Sequence, residues 1–262
     1  MKITKQGKDI HMTFESVSEV MDYIQDTPAE NDSRNNRRSK DSCPFSWEDT
    51  IRFFREGWPE GVRDIAFNAD RINDRIDEAT GHGIEYDVTG DYIDVGSYLE
   101  GVPECFGKMV TADGPKEEIE IVVSAVCHSG IHERSIRNRG AAIAALVDQL
   151  RRTHFVKLSF VIKTVQIEEH NITTVFNVNM ENDYSRDMVA FFAANACYLR
   201  RIWFAVAEKV LRKSSCGFYG SVGNVTVSKG KICFPSIDSN EEWNTLEKAS
   251  KKVQEFLNNI NP

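Results

Sequence analysis

The chain has 262 residues, 41% hydrophobic and 27% charged, an ordinary globular composition with enough apolar material for one large core or two modest ones. Its formal charge of -8 at pH 7 works against contact of the whole molecule with nucleic acid or an anionic membrane, so any such contact has to come from a local basic patch. No apolar run reaches bilayer length, and the first residues, MKITKQGKDIHMTF, lack the apolar core of a signal peptide, so the chain is expected in the cytosol in which it is made. Its cysteines (Cys43, Cys105, Cys127, Cys197, Cys216 and Cys233) are scattered without a CxxC pair, and several lie in apolar runs, which reads as reduced thiols in a reducing compartment.

In chain order, residues 13–24 place Phe14, Val17, Val20, Met21 and Ile24 at helical spacing and predict a short amphipathic helix within an N-terminal arm, 1–25. Residues 26–44 follow as a polar, basic linker carrying Arg34, Arg37, Arg38 and Lys40, with too little apolar surface to offset the entropy of ordering. The arm is expected to seat Phe14, Val17 and Met21 in an apolar groove of its own chain or of a second copy. Removal of residues 1–40 is then expected to weaken assembly and leave the core folded.

Residues 45–115 predict two helices, a hairpin and a helical turn. Ser46 caps the first helix with Asp49 three residues on, and Gly57 stops it. Pro59 opens a second helix with Val62, Ile65, Ala69, Ile72 and Ile76 on one face. The segment IEYDVTGDYIDV alternates either side of Thr89-Gly90 as a hairpin, and GSYLEGVPECF is a short helix ended by Gly101 and Pro103.

Residues 116–262 read as strand, helix, two strands around a polar turn at 168–171, helix, strand and helix, an α/β layered domain of order βαββαβα. The last long helix is expected to run unbroken over 185–213, with Val189, Phe192, Ala196, Leu199, Trp203, Val206 and Val210 on one stripe. A ferredoxin-like sandwich accounts for βαββαβ. A von Willebrand A-like three-layer domain begins with the same order and also accommodates the closing helix, which favours it.

Ser46-Trp47 leading to Gly57-Trp58-Pro59-Glu60-Gly61 forms one recognisable segment. A second is Gly90-Asp91 with Asp94-Val95, Tyr98-Leu99, Gly101 and Pro103-Glu104-Cys105, and a third is Arg139-Gly140-Ala141-Ala142 with Leu146-Val147-Asp148. Together these resemble an uncharacterised family of bacteriophage-encoded proteins of similar length, and a weaker association is with the single-stranded-DNA-binding transcription activator of N4-like phages. The resemblance implies a phage protein in the bacterial host cytoplasm and supplies no activity.

Chemistry is sparse in the pattern. The metal motif of a von Willebrand A-like loop, Asp-x-Ser-x-Ser, aligned on Ser129, meets Ala125 and Cys127 and lacks its anionic ligand. His128 and His132 lie four apart beside Cys127 and Glu133 without an evident third ligand, and read as a polar loop. The glycines of 217–223 form neither a P-loop nor an RNA-recognition consensus. They make either a plain connection or a loop presenting Phe218 and Tyr219 as stacking platforms beside Arg212 and Lys213. Arg200 and Arg201 lie mid-helix and are read as pairing with acidic neighbours.

The leading expectation is a non-enzymatic accessory protein, without cofactor or metal, that binds single-stranded DNA weakly and recruits a phage RNA polymerase or replication protein. Its site residues are Arg34, Arg37, Arg38, Lys40, Arg212, Lys213, Phe218 and Tyr219. The second is an interaction or structural module, a virion component or host-factor inhibitor, and an enzyme is the third.

Overall fold

The structure, a computed structural model, describes residues 1–35, 43–80, 84–90, 92–109, 117–126, 130–167, 169–181, 184–214, 221–222, 225 and 230–260. Ile10, Met12 and Phe14 alternate with Asp9, His11 and Thr13, a period of two, and the N-terminus is a hairpin of β1 (Lys2–Gln6) and β2 (Asp9–Phe14) turned through Gly7 at φ +61°. The helix predicted over 13–24 is shorter: α1 (Val17–Ile24) starts after Ser16, whose Oγ accepts from the Glu19 amide. Phe14 sits three residues before Val17 and so matched the helical period, but it is the last residue of a strand. Phe14, Val17 and Met21 are buried as expected, in the main core of their own chain.

The residues expected as linker contribute α2 (Asp32–Asn35) before the segment 36–42, which lies outside the described residues. Next come α3 (Trp47–Glu56) and α4 (Pro59–Thr80), close to their predicted spans. Ser46 Oγ accepts from the Asp49 amide at 2.9 Å, and its hydroxyl donates to Asp49 Oδ2 at 2.9 Å, so the cap closes through the two side chains.

The predicted hairpin is not one. β3 (Ile84–Asp87) and β4 (Tyr92–Ile93) are followed by α5 (Val95–Leu99) and β5 (Phe106–Met109), and β5 inserts between them in the order β3-β5-β4. Gly107 lies opposite both Tyr86 and Tyr92. A Cβ on Gly90 would come within 2.4 Å of the Gly107 carbonyl oxygen, so the turn needs glycine for closeness. Alternation about Thr89-Gly90 is the same whether two strands meet directly or flank a third.

The α/β half comprises β6 (Glu118–Ser124), α6 (Glu133–Thr153), β7 (Phe155–Ile167), β8 (His170–Val178), α7 (Arg186–Ala194), a π-helix (Tyr198–Trp203), α8 (Phe204–Leu211), β9 (Ser221–Val222), β10 (Ile232–Phe234) and α9 (Leu246–Ile260). Its mixed sheet runs β1-β2-β8-β7-β6-β10, with β9 paired to β7. β6 is parallel to both β7 and β10, β7 and β8 are antiparallel, and β2 joins β8 in parallel. A ferredoxin-like sheet is antiparallel throughout, so these pairings exclude it; the von Willebrand A-like alternative keeps parallel neighbours on both sides of its first strand. Because β2 belongs to this sheet, residues 1–25 are part of the core and not a tethered arm.

The layering differs from a helix-covered sheet. Helices α4, α6, α7 and α9 pack on one another, and α3, α1 and α2 join them through α7 and α8, so these helices form one body on one face. Ile172, Thr174, Phe176 and Val178 of β8 are buried towards it, and the residues between them are half-exposed. On that second face Ser159 bonds Asn177, which donates to the Glu15 carboxylate. Residues 141–147 of α6 are buried all round because the helix lies between the sheet and α4, and the small side chains there permit close approach: a Cβ on Gly140 would touch Ala194 Cβ at 3.2 Å.

Candidate functional site

The helix expected to be continuous over 185–213 starts as read, with Ser185 Oγ accepting from the Met188 amide, and breaks at Asn195. That residue is extended (φ -113°, ψ 117°), and its Oδ1 accepts from the Cys197 amide at 2.9 Å, a local turn that competes with helix. The chain resumes as the π-helix and α8, bent by 71° from α7. The predicted stripe is buried or half-buried along its length, but Ala190, Phe191, Ala193 and Ala194 between its members are buried too. The helix is enclosed all round, and no single helix among the described residues is long and apolar enough to cross a membrane.

Two charged residues of this apolar run are buried. Arg201, 5% exposed, donates through Nη1 to the Ser33 and Arg34 carbonyl oxygens at 3.2 and 2.8 Å and through Nη2 to the Phe45 carbonyl oxygen at 2.6 Å. Burial lowers its pKa from the ordinary arginine value, and Glu48 nearby opposes the shift. Glu208, 1% exposed, accepts from the Ser33 amide at 3.0 Å and the Ser33 hydroxyl at 2.6 Å. One guanidinium therefore holds the chain on both sides of segment 36–42, at Arg34 and at Phe45. Arg201 pairs with main-chain carbonyls, in place of the acidic side chains the sequence suggested, because α2 and the residues after Cys43 need donors where they cross the π-helix.

A covalent tie adds to this. Cys43 and Cys197 form a disulfide across 154 residues, which corrects the expectation of reduced thiols throughout. Among the other cysteines, Cys105 is buried, and burial raises the Cys233 thiol above its ordinary value, the opposite of an activated nucleophile. Cys127 and Cys216 lie outside the described residues.

At the end of α8, the Lys213 amide donates to the Glu208 carbonyl and the Arg212 amide to the Lys209 carbonyl, a helix stop that places Arg212 at φ +55° where glycine is usual. The Asp32 amide donates to the Ser214 carbonyl oxygen at 3.0 Å, joining this end to α2. Between them is a groove of about 360 Å³ lined by Asp26, Glu30, Asn31, Lys209, Arg212 and Lys213, with Lys209 paired to Asp26.

Of the predicted site residues, Arg212 and Lys213 are exposed on this groove. Arg34 is committed within the chain, donating to the Thr27 carbonyl at 3.0 Å and lying over the Trp47 ring, so it is a brace between segments. Arg37, Arg38, Lys40, Phe218 and Tyr219 lie outside the described residues. Of the two regions the sequence singled out, the described ends adjoin, α2 at Asp32 and the end of α8 at Ser214. Arg201 and Glu208 were not singled out as a site; their signal is a charge inside an otherwise apolar run.

Two other places carry less. Where β6 and β10 end, the position of a von Willebrand A-like metal, the buried Arg139 guanidinium donates to the Ser124, Phe234 and Pro235 carbonyls at 3.0, 3.0 and 2.7 Å. His132 is exposed, its amide bonded to Asn240 Oδ1, and the Glu133 carboxylate pairs with Arg137; Cys127, His128 and Ser129 lie outside the described residues. A groove of about 430 Å³ between α4 and α6 holds Arg71, Arg134 and Arg137, but Asp64 and Glu133 face Arg137 there and dilute its positive charge.

Fold and site together define an α/β protein with a mixed sheet covered by helices on one face and a groove of mixed charge, between α2 and the end of α8, on which Arg212 and Lys213 are exposed. Residues 2–261 match the family model described as Domain of unknown function (DUF7192), so the chain belongs to that family. No curated protein and no solved structure matches the chain.

Proposed function

We propose that this is a phage-encoded, non-enzymatic accessory protein that binds single-stranded DNA weakly at the α2 and α8 corner and recruits a transcription or replication protein in the host cytoplasm. The observation that carries the reading is that Arg201 holds Arg34 and Phe45, the described flanks of a segment whose sequence holds Arg37, Arg38 and Lys40, while the Asp32 amide ties α2 to Ser214 next to exposed Arg212 and Lys213. Fastening the ends of a basic segment lowers the entropy lost when it meets a polyanion. The negative charge of the whole molecule keeps the affinity low and strongly salt-dependent. The phage origin rests on the sequence resemblance alone, and in a reducing cytoplasm the Cys43–Cys197 bridge would have to be held closed by its burial.

Arg212 supports the reading from backbone energetics. A non-glycine residue in the left-handed region costs about 1 kcal/mol, and such cost is often retained where the side chain is used. Arg212→Gly is therefore expected to raise stability by about 0.5 to 1 kcal/mol, after the extra entropy of glycine in the unfolded chain, while weakening DNA binding. Thermal melts and fluorescence anisotropy on the same sample read both effects.

The function itself is tested by anisotropy of labelled oligothymidylate across a salt series. Wild type is expected to bind at low salt, and the double variant Arg212→Ala, Lys213→Ala to lower the slope of log affinity against log salt by about 1.4, two contacts at roughly 0.7 each. Absence of binding at low salt removes the nucleic-acid half of the proposal.

A further inference from the structure

Among the described residues, six of the ten exposed large hydrophobic side chains fall within residues 88–102: Val88, Ile93, Val95, Tyr98, Leu99 and Val102. Such concentration on one small unit marks an interaction surface more often than chance exposure. Val95, Tyr98, Leu99 and Val102 follow the spacing of one helical stripe, and the three within α5 are 58%, 56% and 77% exposed.

This stripe is held in place although no described residue covers it. Asp94 caps α5, its Oδ1 accepting from the Gly96 and Ser97 amides at 2.9 and 3.3 Å and its Oδ2 from the Ser97 hydroxyl at 2.9 Å. Those bonds, the Ser97 hydroxyl first, hold the Asp94 carboxyl below its ordinary range. At the other end the Val102 amide donates to the Ser97 carbonyl and the Gly101 amide to the Tyr98 carbonyl, with Gly101 at φ +78°. In this helix stop Val102 ordinarily packs on the residue at the Ser97 position, and the serine offers it no apolar partner. The Asp94 amide donates to the Cys105 carbonyl at 2.8 Å and fixes α5 to the strand β5 begins. A five-residue helix is too short to persist alone, so these caps are what hold its apolar side chains towards water.

The charge around the patch selects its occupant. Asp87, Glu100 and Glu104 are exposed there and Asp94 is half-buried, and the sequence of residues 84–105 has no lysine, arginine or histidine. A second copy docked through this surface would set carboxylates against carboxylates, which disfavours self-association. We propose that α5 and the turns around it form a docking surface for a basic amphipathic segment of a partner protein, with apolar side chains covering Val95, Tyr98 and Leu99 and lysine or arginine meeting the acidic rim. The inference rests on the recruiting half of the function proposed above and not on its nucleic-acid half. It is tested without DNA, so failure here leaves the oligothymidylate result standing.

The probe is a short, labelled amphipathic peptide of leucine and lysine, with a leucine and glutamate counterpart, titrated with full-length protein and read by anisotropy. Wild type is expected to bind the lysine peptide and not the glutamate one. Leu99→Asp and Tyr98→Ala, both at exposed positions, are each expected to weaken binding about tenfold, the loss of one buried apolar side chain, with unchanged circular dichroism. Leu99→Asp is the discriminating variant: it adds negative charge, so attachment by charge alone would tighten, whereas docking on the apolar stripe weakens. Unchanged or tighter binding in Leu99→Asp overturns the proposal. So does a wild-type dimer in sedimentation that Leu99→Asp dissociates, which would assign the surface to a second copy.

Discussion

Deletion of residues 1–25 is expected to unfold the protein. The deletion removes β2, which is in register with β8 from Asp9 against Asn171 to Phe14 against Phe176, and strips the edge from the sheet. With it go Ile10, Met12, Phe14, Val17, Val20, Met21 and Ile24, all buried in the main core. At about 1.5 to 3 kcal/mol for each buried side chain, the loss is on the order of 10 to 20 kcal/mol, comparable to or above the whole stability of a typical domain. The truncated chain should show no cooperative thermal transition by circular dichroism and should bind a dye for exposed apolar surface. A milder probe is Phe14→Ala, which empties the space beside Tyr23, whose ring lies 5.7 Å away, and is expected to cost about 3 to 5 kcal/mol. A truncated protein that still melts cooperatively near the wild-type temperature would restore the reading of this segment as an accessory arm.

What could be read in the sequence was local. The caps at Ser46, Gly57 and Ser185, the span of α4 and the β6 to β8 succession each rest on residues within a few positions of one another, and the structure has them. Periodicity misled where two periods agree over a short stretch, as at Phe14, and where alternation is indifferent to an inserted strand, as around Thr89-Gly90. The break at Asn195 had a signal, a short polar side chain inside an apolar run, but the stripe continues through the bend and hides it. Residues 190–194, apolar on every side, were a second sign that this helix is enclosed and not amphipathic. The candidate site was half legible: composition marked the basic segment and the end of α8 as separate features. The placement of that segment's described flanks depends on Glu208 reaching Ser33 across 175 positions and on Cys43 meeting Cys197 across 154, distances over which spacing carries no information.

Arg201→Ala is expected to cost about 3 to 5 kcal/mol, because it leaves the Ser33, Arg34 and Phe45 carbonyls without the donor they share in a buried setting. For a chain of this size that corresponds to a fall in Tm of roughly 6 to 20 °C. The loss should be local as well as global, since Arg201 joins both sides of segment 36–42 to the π-helix. Tryptic cleavage at Arg37, Arg38 or Lys40 is expected to accelerate in the variant relative to wild type, and to accelerate further once a dithiol opens the Cys43–Cys197 bridge, the remaining tie on the second side. Glu208 still holds Ser33 in that variant, so combining Arg201→Ala with reduction should free the Phe45 side before the Ser33 side. Arg201→Lys keeps the charge but presents its donors from a single nitrogen; it can meet the Arg34 or the Phe45 carbonyl and is expected to recover about half of the loss. If Arg201→Ala melted and was cleaved like wild type, the guanidinium would not be what holds Arg34 and Phe45, and on the second side the disulfide at Cys43 would be the tie that remains.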